Sequence, residues 1–553
     1  LISQFRPVRR LSGEVLRGGD LKAPSDLGVV IADGVAFSPP SSCRCNVEIH
    51  GFRAFTSLPL APKVDSLPQL TTGPAAGDSL GPLASDAEWR CWRGDNRHSG
   101  SLSVKLPPSA PELAWQWKPV RTNPVPKLSD RYAARHIDVP SHLPTQAVSS
   151  DGVAYFGDSQ GVLRAVSLQD GRELWAFPVG FKLIAPPALG RGRVVVGAMD
   201  GQVVCLDSED GRLAWRYRVP QRNRRILWYG HLADTQPLIG GALLHGDTVY
   251  AAAGFNSVDS IRVVALDLAG GEPKWTQSMP HDAPTGGSLG SMGSMTVAAG
   301  QLFIRSGGQV PASFDLESGE LTAVPPARWG ASSCHGKDLA AVDENWVLYG
   351  GRRVYSDFNR WKRETRSMGY TLCRTDRALD GGPEPTILGA RLGMASAVMP
   401  VFDRELFIAF GEYPGREAKP FIKAWKRKGF LAALAGVPGP EEVPDWLKKK
   451  PRPFTFGLLK PGKGDLAEDA LWTGNGHLAY TAALGSDALI VIHPERVKKR
   501  LNEEWLVSAF ERVDGSVRWT VDLPGRPVWD GLSLSADGSI LIALWDGSML
   551  CFR

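Results

Sequence analysis

Long apolar runs are missing from this 553-residue chain, and cysteines are few. No apolar stretch approaches the ~20 residues that a membrane-spanning helix needs. The nearest, FLAALAGVPG at 430–439, is short and contains a proline. Seven cysteines are too few for a disulfide scaffold, and their odd number leaves at least one thiol unpaired within a monomer. A C-x-x-C-H haem-attachment motif is absent, since Cys334-His335 would need a cysteine where Ala331 stands. The sequence thus excludes a chain that carries covalently attached haem.

The charge balance gives little reason to expect a nucleic-acid partner. The net charge is +5, and the composition of 22% charged and 43% hydrophobic residues is typical of a soluble globular protein. Basic clusters at 423–429, 447–453 and 496–500 are interpreted as solvated surface. The chain starts at Leu1 without a signal-peptide pattern, so we expect a processed or truncated start, and the sequence does not name a compartment.

One pattern occurs twice at a spacing of forty residues. SLQDGRELWAFPV at 167–179 and SEDGRLAWRYRVP at 208–220 place Gly171 and Trp175 in register with Gly211 and Trp215. Self-similarity at a period of about 40 residues indicates a repeat architecture.

Each repeat reads as short strands joined by turns. RVVVGA at 193–198, QVVCLD at 202–207 and RLAWRYRV at 212–219 are separated by Asp-Gly pairs, which favour type I′ hairpin turns. The stretch at 183–190 supplies one more strand in front. Four antiparallel strands per unit predict a propeller blade.

Six further units follow at looser spacing, and the last one is incomplete. GSILIALWDGSMLCFR at 538–553 ends without the tryptophan-bearing outer strand, whereas PELAWQWKP at 111–119 is such a strand without a blade. Pairing of residues 112–118 with 548–552 would remove an exposed sheet edge. The sequence therefore predicts an all-β, eight-bladed propeller over roughly 110–553, closed by its two ends.

The repeat pattern G-x-V/L-x-A/C-x-x-x-x-D-G-x-x-x-W resembles that of the pyrroloquinoline-quinone (PQQ) propeller family. This family includes quinoprotein dehydrogenases and an outer-membrane assembly lipoprotein. WRCWRGDNRHSGS at 89–101 is similar to the lead-in of PQQ-like propellers in planctomycete-type bacterial proteins. The WD40 repeat fits less well, because its Gly-His and Trp-Asp pairs do not recur. The resemblance implies an extracytoplasmic bacterial protein, in the periplasm or at the cell surface.

The chain divides into two parts. Residues 1–88 are interpreted as the remnant of a preceding domain: 28–59 resembles the last blade of an upstream propeller, and 64–83 is a Pro/Gly/Ser linker. Residues 89–553 form the propeller, with helical insertions expected near 350–370, 428–466 and 493–504. Truncation after Arg93 should then be tolerated, and truncation through Lys118 should destabilise the protein.

The repeated tryptophans are interpreted as structural. An outer-strand indole buries roughly 150–250 Å² against the next blade. Trp175, Trp215, Trp275 and Trp519 are therefore assigned to packing between blades and not to catalysis. The repeated residues therefore reflect the fold and do not indicate a catalytic site.

Three loops gather the candidate site at the mouth of the channel. They contribute aromatic, carboxylate, amide and imidazole groups that suit a planar acid or a sugar. The alternative is that these side chains only satisfy loop backbone groups. The candidates are Trp228, His231 and Asp234 from 224–237, Asn475 and His477 from 471–480, and Trp529 and Asp530 from 525–533.

Two other motifs give weaker indications of a functional site. Ser288 in GGSLG matches the G-x-S-x-G hydrolase pattern, but that motif works on a strand-to-helix turn, which a propeller does not offer. Cys43 and Cys45, with His50 and Cys91, form a candidate metal site, and cross-bonding to the lost domain is the other interpretation of these thiols. Cys205 and Cys551 are predicted to be small core residues.

Two functions stay open. The favoured one is a non-catalytic binding or scaffold module of a larger extracytoplasmic bacterial protein, with protein partners or a small ligand at the channel mouth, no nucleic acid and no transmembrane segment. The alternative is a PQQ-dependent oxidoreductase of an alcohol or a sugar, with PQQ and calcium. The resemblance implies that such enzymes hold the quinone between a tryptophan and a vicinal disulfide, and no two cysteines are adjacent here.

Overall fold

The fold is known from a computed structural model. It describes residues 30–32, 35–38, 53–56, 68–82, 87–121, 143–221, 225–228, 231–254, 261–279, 293–304, 311–323, 338–350, 370–375, 386–387, 398–413, 428–435, 472–475, 479–497 and 500–553. All regular elements in these ranges are β-strands.

Five strands precede the repeats. They are β1 (Val30–Ala32), β2 (Val35–Ser38), β3 (Arg53–Thr56), β4 (Leu70–Thr72) and β5 (Leu113–Trp117). The first three form a sheet of their own. The other two join sheets of the repeats.

The first four repeats each form one antiparallel sheet, here sheets 1 to 4, and a separate hairpin lies between sheets 2 and 3. Sheet 1 contains β6 (Val148–Ser150), β7 (Val153–Gly157), β8 (Val162–Ser167) and β9 (Glu173–Pro178). Sheet 2 contains β10 (Ala188–Gly190), β11 (Arg193–Gly197), β12 (Gln202–Asp207) and β13 (Leu213–Arg218), and the hairpin is β14 (Arg225–Trp228) with β15 (His231–Asp234). Sheet 3 contains β16 (Ala242–His245), β17 (Thr248–Ala253), β18 (Ile261–Asp267) and β19 (Pro273–Met279). Sheet 4 contains β20 (Met295–Ala298), β21 (Gln301–Ile304), β22 (Ala312–Asp315) and β23 (Leu321–Ala323).

Sheets 5 to 8 repeat the arrangement. Sheet 5 contains β24 (Asp338–Ala341), β25 (Trp346–Gly350), β26 (Tyr370–Arg374) and β27 (Thr386–Ile387). Sheet 6 contains β28 (Val401–Phe402), β29 (Leu406–Tyr413), β30 (Lys428–Ala435) and β31 (Trp472–Asn475). Sheet 7 contains β32 (Thr481–Leu484), β33 (Ala488–Val497), β34 (Arg500–Glu511) and β35 (Val517–Leu523). Sheet 8 contains β36 (Pro527–Leu534), β37 (Ile540–Leu544), β38 (Met549–Phe552) and, from the other end of the chain, β5.

The prediction of an all-β chain built from four-stranded antiparallel sheets is confirmed. The predicted partner of the last strand is also correct, because β38 pairs with β5 in the register Met549↔Trp117 and Cys551↔Trp115. First strands of successive sheets contact one another, for example β10 with β6 and with β16. Buried residues such as Val194 and Val204 form the core between sheets.

The Asp-Gly pairs lie in hairpin turns, but the turn type differs from the predicted one. At Asp210-Gly211 only the glycine has a positive φ, of 73°. The register shifts between Cys205 and Leu206, which marks a bulge. A four-residue loop between Asp207 and Arg212, with the left-handed Gly211 as its last residue, accounts for both observations.

The repeated tryptophans pack between sheets as predicted. Each indole N–H donates to a backbone carbonyl of the next unit along. The pairs are Trp115 with Leu168 (2.6 Å), Trp175 with Ser208 (3.1 Å), Trp215 with Leu268 (2.8 Å), Trp275 with Leu316 (3.0 Å), Trp472 with Arg512 (2.9 Å) and Trp519 with Pro107 (2.8 Å). Sheet 8 takes its outer strand from the N-terminal side of the chain, and there Pro107 provides the acceptor.

Two predicted helical insertions are wrong over the described residues. Residues 488–497 and 500–511 form the hairpin of β33 and β34, so the described parts of 493–504 are strands and not a helix. Its Glu- and Lys-rich composition suggested a helix, but cross-strand pairing from sheet 7 continues through it. Residues 428–435 form β30 and pair with β29 along eight positions. The remainder of 428–466 and nearly all of 350–370 lie outside the described residues.

The segment predicted to be a linker contains a strand. β4 adds to the outer edge of sheet 2, with Trp215 opposite Thr72 and Tyr217 opposite Leu70. Arg193, 1% exposed, bonds Asp207 at 2.8 Å and the carbonyl of Asp78 at 2.9 Å. Residues 68–82 are therefore packed against sheet 2 and do not form a free linker.

Among the described residues, no helix has the length and apolar character required to traverse a bilayer.

Candidate functional site

Residues 89–102, here the crossing segment, contact the first strands of the sheets in chain order. Main-chain or side-chain groups of this segment bond directly to sheets 1 to 7. The contacts are Trp89 with Ser149, Arg90 with Leu189, Asn96 with Leu244 and Thr296, Arg97 with Ala341, Ser99 with Phe402, and Gly100 and Leu102 with Leu484. Sheet 8 is reached through Gln146, which accepts from Arg93 N at 2.8 Å and donates to the carbonyl of Leu532 at 2.6 Å.

Four residues of the crossing segment have a left-handed backbone conformation, which turns the direction of the chain. Arg93, Gly94, His98 and Gly100 have φ values of 58°, 93°, 59° and 70°. Asp95 fixes the turn, since its carboxylate accepts the backbone N–H groups of Arg97 and Ser99, both at 3.0 Å. Non-glycine residues at positive φ cost free energy and are held by their surroundings.

Buried side chains anchor the segment. Trp89 is 1% exposed, and its indole N–H reaches Gln146 Oε1 at 3.4 Å. The Arg93 guanidinium donates to the carbonyls of His98 at 3.1 Å and Pro400 at 2.5 Å. A buried guanidinium is tolerated when carbonyl dipoles surround it in this way.

A cavity lies beside the crossing segment, next to sheets 2, 3 and 4. Its volume is about 60 Å³, and it is partly open to solvent. The segment contributes Cys91, Trp92 and His98. The loops and strand starts ahead of the three sheets contribute the rest, which are Ile184, Ala185, Pro186, Pro187, Ile239, Gly240, Ala242, Leu243, Gly293, Ser294 and Met295. The described lining contains no carboxylate and no ammonium or guanidinium group.

His98 is the main polar group of this lining. Its Nδ1 lies 2.7 Å from the carbonyl oxygen of Leu339, and its ring stands edge-on to Trp92 at 4.9 Å. Burial lowers the pKa of His98 from 6.5 to about 4, so the imidazole is neutral at pH 7. A carbonyl oxygen only accepts, so Nδ1 carries the proton and Nε2 is left as an acceptor.

The Cys91 thiol is protonated and inert as a nucleophile. Burial raises its pKa far above the usual range, with a smaller contribution from Asp95. Its sulfur lies 3.7 Å from Asn96 Oδ1. The other proposed metal ligands, Cys43, Cys45 and His50, lie outside the described residues. In the ranges that the structure covers, His, Cys, Asp and Glu side chains form no cluster of three suited to a metal ion.

Six of the seven residues predicted at the channel mouth fall within the described ranges, and they belong to three separate sheets or hairpins. Trp228 and His231 occupy paired backbone positions in the hairpin of β14 and β15. Asp234 is 0% exposed and pairs with Arg218 at 2.9 Å, so its carboxylate is occupied. Asn475 ends β31 opposite Phe430, and His477 lies outside the described residues.

Trp529 and Asp530 lie in a bulge of β36, where the register shifts between Pro527 and Leu532. The Trp529 ring contacts Tyr480 at 4.1 Å, and Asp530 has a φ of 52°. None of the six that the structure describes is among the cavity-lining residues named above, and the role of all seven in binding stays a prediction.

Sequence reasoning missed the crossing segment as a site. Its signal was present, because WRCWRGDNRHSGS holds two tryptophans, a histidine and two glycines within 13 residues. That density of polar and aromatic groups is unusual for a lead-in. What the sequence could not show is that sheets far along the chain gather around it.

Cys205 and Cys551 are both 0% exposed and unpaired, which confirms them as core residues. Ser288 lies outside the described residues.

Comparison with known proteins defines the class. Residues 112–367 match the PQQ-repeat family model described as outer membrane protein assembly factor BamB. This match supports the resemblance to PQQ-type propeller repeats that the repeat pattern indicated.

Two curated relatives illustrate the range of this class. The BamB of Burkholderia pseudomallei is 32% identical over 106 residues, 19% of this chain and 24% of that protein. The quinohemoprotein alcohol dehydrogenase of Comamonas testosteroni is 22% identical over 454 residues, 73% of this chain and 60% of that protein. The chain thus spans about a quarter of the first relative and three fifths of the second.

A solved structure supports the fold. The quinohemoprotein alcohol dehydrogenase of Pseudomonas putida superposes with a TM-score of 0.50, covering 85% of this chain and 80% of that one at 12% identity. At this identity the likeness extends to the fold alone.

Proposed function

We propose that this chain is a non-catalytic PQQ-like propeller that acts as a binding module of a larger extracytoplasmic bacterial protein. The observation that carries the proposal is the cavity at the crossing segment, whose described lining holds no carboxylate and no cationic side chain, its polar side-chain groups being a neutral imidazole, an indole N–H, a hydroxyl and a thiol. Such a lining can bind a ligand, but burial makes its imidazole a weak base and keeps its thiol protonated, and it offers no carboxylate to complete a catalytic set.

The described residues of this cavity do not fit PQQ with calcium. PQQ carries three carboxylates, which need cationic or multiple N–H partners, and calcium needs six to eight oxygen ligands. The lining supplies neither. Of the predicted site carboxylates, Asp234 is engaged by Arg218. We therefore derive no reaction through the quinone.

The extracytoplasmic setting is part of the proposal. It is supported by the family model, whose description places it in outer membrane protein assembly. A module of this kind would present its sheets and cavity to a protein partner or a small ligand of the same compartment.

We further infer that the eight sheets close into one ring around the crossing segment. The bonds of this 14-residue stretch to successive first strands in chain order support an arrangement in which those strands surround it. Trp115 of sheet 8 donates to Leu168 of sheet 1, as other outer-strand tryptophans do between consecutive sheets.

Reconstitution with the quinone tests the functional proposal. The protein is incubated with PQQ and calcium, freed of excess quinone, and its absorbance and alcohol- or sugar-dependent dye reduction are measured. A purified quinohemoprotein alcohol dehydrogenase, stripped and reconstituted in parallel, is the positive control. We expect no retained quinone and no dye reduction. Stoichiometric quinone with substrate-dependent reduction would replace the proposal by the oxidoreductase reading.

A further inference from the structure

The walls of the cavity suit an aromatic ring. Pro186 and Pro187 present flat aliphatic rings, Met295 presents a thioether, and Trp92 presents an indole. Thioether sulfur contacts aromatic ring edges favourably, and aromatic pairs gain beyond the area they bury. An aliphatic ligand would fill the same space without these contacts.

The cavity also holds one defined hydrogen-bond acceptor. His98 is 3% exposed, and its Nδ1 is committed to Leu339. Nε2 is therefore the nitrogen that a ligand can reach. A ligand that places a donor opposite Nε2 satisfies this buried acceptor, whereas a ligand without a donor leaves it unmatched at a cost in free energy.

We propose that this cavity binds a small, uncharged aromatic molecule with one hydrogen-bond donor, of the phenol or indole class, which donates to Nε2 of His98. The inference names the ligand class of the proposed binding module and so rests on that function. Carboxylates are disfavoured because the described lining offers them no cation. Sugars are disfavoured because most of their hydroxyls would lack partners.

Two matched pairs of probes test the hydrogen bond on the unmodified chain. Phenol is compared with anisole, and indole with N-methylindole, by isothermal titration calorimetry. Each methylated probe keeps the ring but loses the donor. We expect phenol and indole to bind at least about 10-fold more tightly, which corresponds to roughly 1.4 kcal/mol for one buried hydrogen bond. Equal affinities within each pair, or no binding by any probe, would overturn the proposal.

Location is tested by two substitutions and one spectrum. Ala185→Phe places a ring in the cavity, and we expect it to abolish binding of phenol. Ala479→Phe is the matched control, since Ala479 is another half-buried alanine just ahead of a first strand and does not line the cavity. Retained phenol binding in Ala185→Phe, or equal loss in both variants, would place the site elsewhere and refute the assignment.

Methyl NMR of the full chain gives a readout that does not depend on the Ala185 variant folding. With ¹³C-methyl methionine, phenol should shift the Met295 signal, assigned through Met295→Leu. An unshifted Met295 signal at saturating phenol would contradict the proposal.

The two proposals fail separately. Quinone uptake with dye reduction would refute the proposal of a non-catalytic module, whether or not phenol binds. Failure of phenol and indole in the absence of quinone uptake removes the ligand class and leaves the binding module standing.

Discussion

At the scale of single residues, the repeated glycines and tryptophans form contact pairs across sheets. A Cβ built on Gly171, Gly211, Gly271, Gly319 or Gly515 would lie within 3 Å of an indole atom of the preceding unit. The glycine is thus required twice, once for its positive φ and once for the approach of the ring. The spacing of the two residues in sequence reflects a contact between neighbouring units.

Gly271→Ala tests this pairing. The new methyl group would lie 2.6 Å from Trp215 Cδ2, at a residue whose φ is +82°. We expect a loss of about 2–5 kcal/mol, from backbone strain of about 1–2 and overpacking of about 1–3 kcal/mol. Urea unfolding followed by circular dichroism measures it.

Gly246→Ala is the matched control. Gly246 also has a positive φ, of +58°, but nothing lies within 4 Å of its Cβ position. It should lose only the backbone part, about 1–2 kcal/mol. Equal losses in the two variants would show that the indole contact is irrelevant.

His98 makes stability depend on pH. Burial lowers its pKa to about 4, with Arg93 lowering it further and Asp95 and the Leu339 carbonyl opposing. The folded state therefore binds fewer protons than the unfolded state between pH 6.5 and 4. The stabilisation is complete above pH 6.5 and is lost as the pH falls, by on the order of 3 kcal/mol at pH 4.

Unfolding free energies at several pH values, compared with those of His98→Gln, isolate this contribution. The wild-type protein should lose more stability on acidification than the variant. Parallel curves between pH 6.5 and 4 would mean that His98 titrates normally in the folded protein.

At the scale of elements, the crossing segment changes an expectation drawn from sequence. Truncation after Arg93 seemed harmless while 89–101 was regarded as a lead-in. In the structure Trp89 and Arg93 are 1% and 3% exposed, so that truncation removes buried anchors.

Two deletions measure the contribution of the segment. Removing residues 1–86 takes away β4 and the strands before it, and removing 1–102 also takes the crossing segment. We expect the second variant to be less stable by several kcal/mol, since losing a buried tryptophan alone costs about 3–5 kcal/mol. Both variants are compared by melting temperature and by size-exclusion chromatography. Equal melting temperatures would contradict an anchoring role.

Regular repeats could be predicted in detail, and irregular elements could not. The Asp-Gly turns and alternating apolar positions of sheets 1 and 2 fix their strands locally. The hairpin of β33 and β34 has a helix-like composition, and only pairing across the sheet decides its conformation. The occupied state of Asp234 also depends on a partner, Arg218, that lies in a neighbouring element.

At the scale of the whole molecule, the proposed ring predicts coupling between the two ends of the chain. Trp115→Ala removes an indole between sheets 8 and 1. The rate of backbone amide hydrogen exchange should then rise in residues 527–552 and 148–178 together, because both sheets lose packing contacts with each other. Sheet 4 serves as the internal reference. Faster exchange in sheet 8 alone would argue that sheets 8 and 1 are not neighbours.

The place of residues 89–102 in the chain also bears on biosynthesis. A ribosome releases this segment before any of the seven sheets to whose first strands it bonds directly. Each sheet that is synthesised later can therefore pack against residues 89–102, which are already present, in the order of translation. A circular permutant that moves residues 89–102 to the C-terminus would have to insert them among finished sheets, and its refolding should be slower although its native contacts are unchanged.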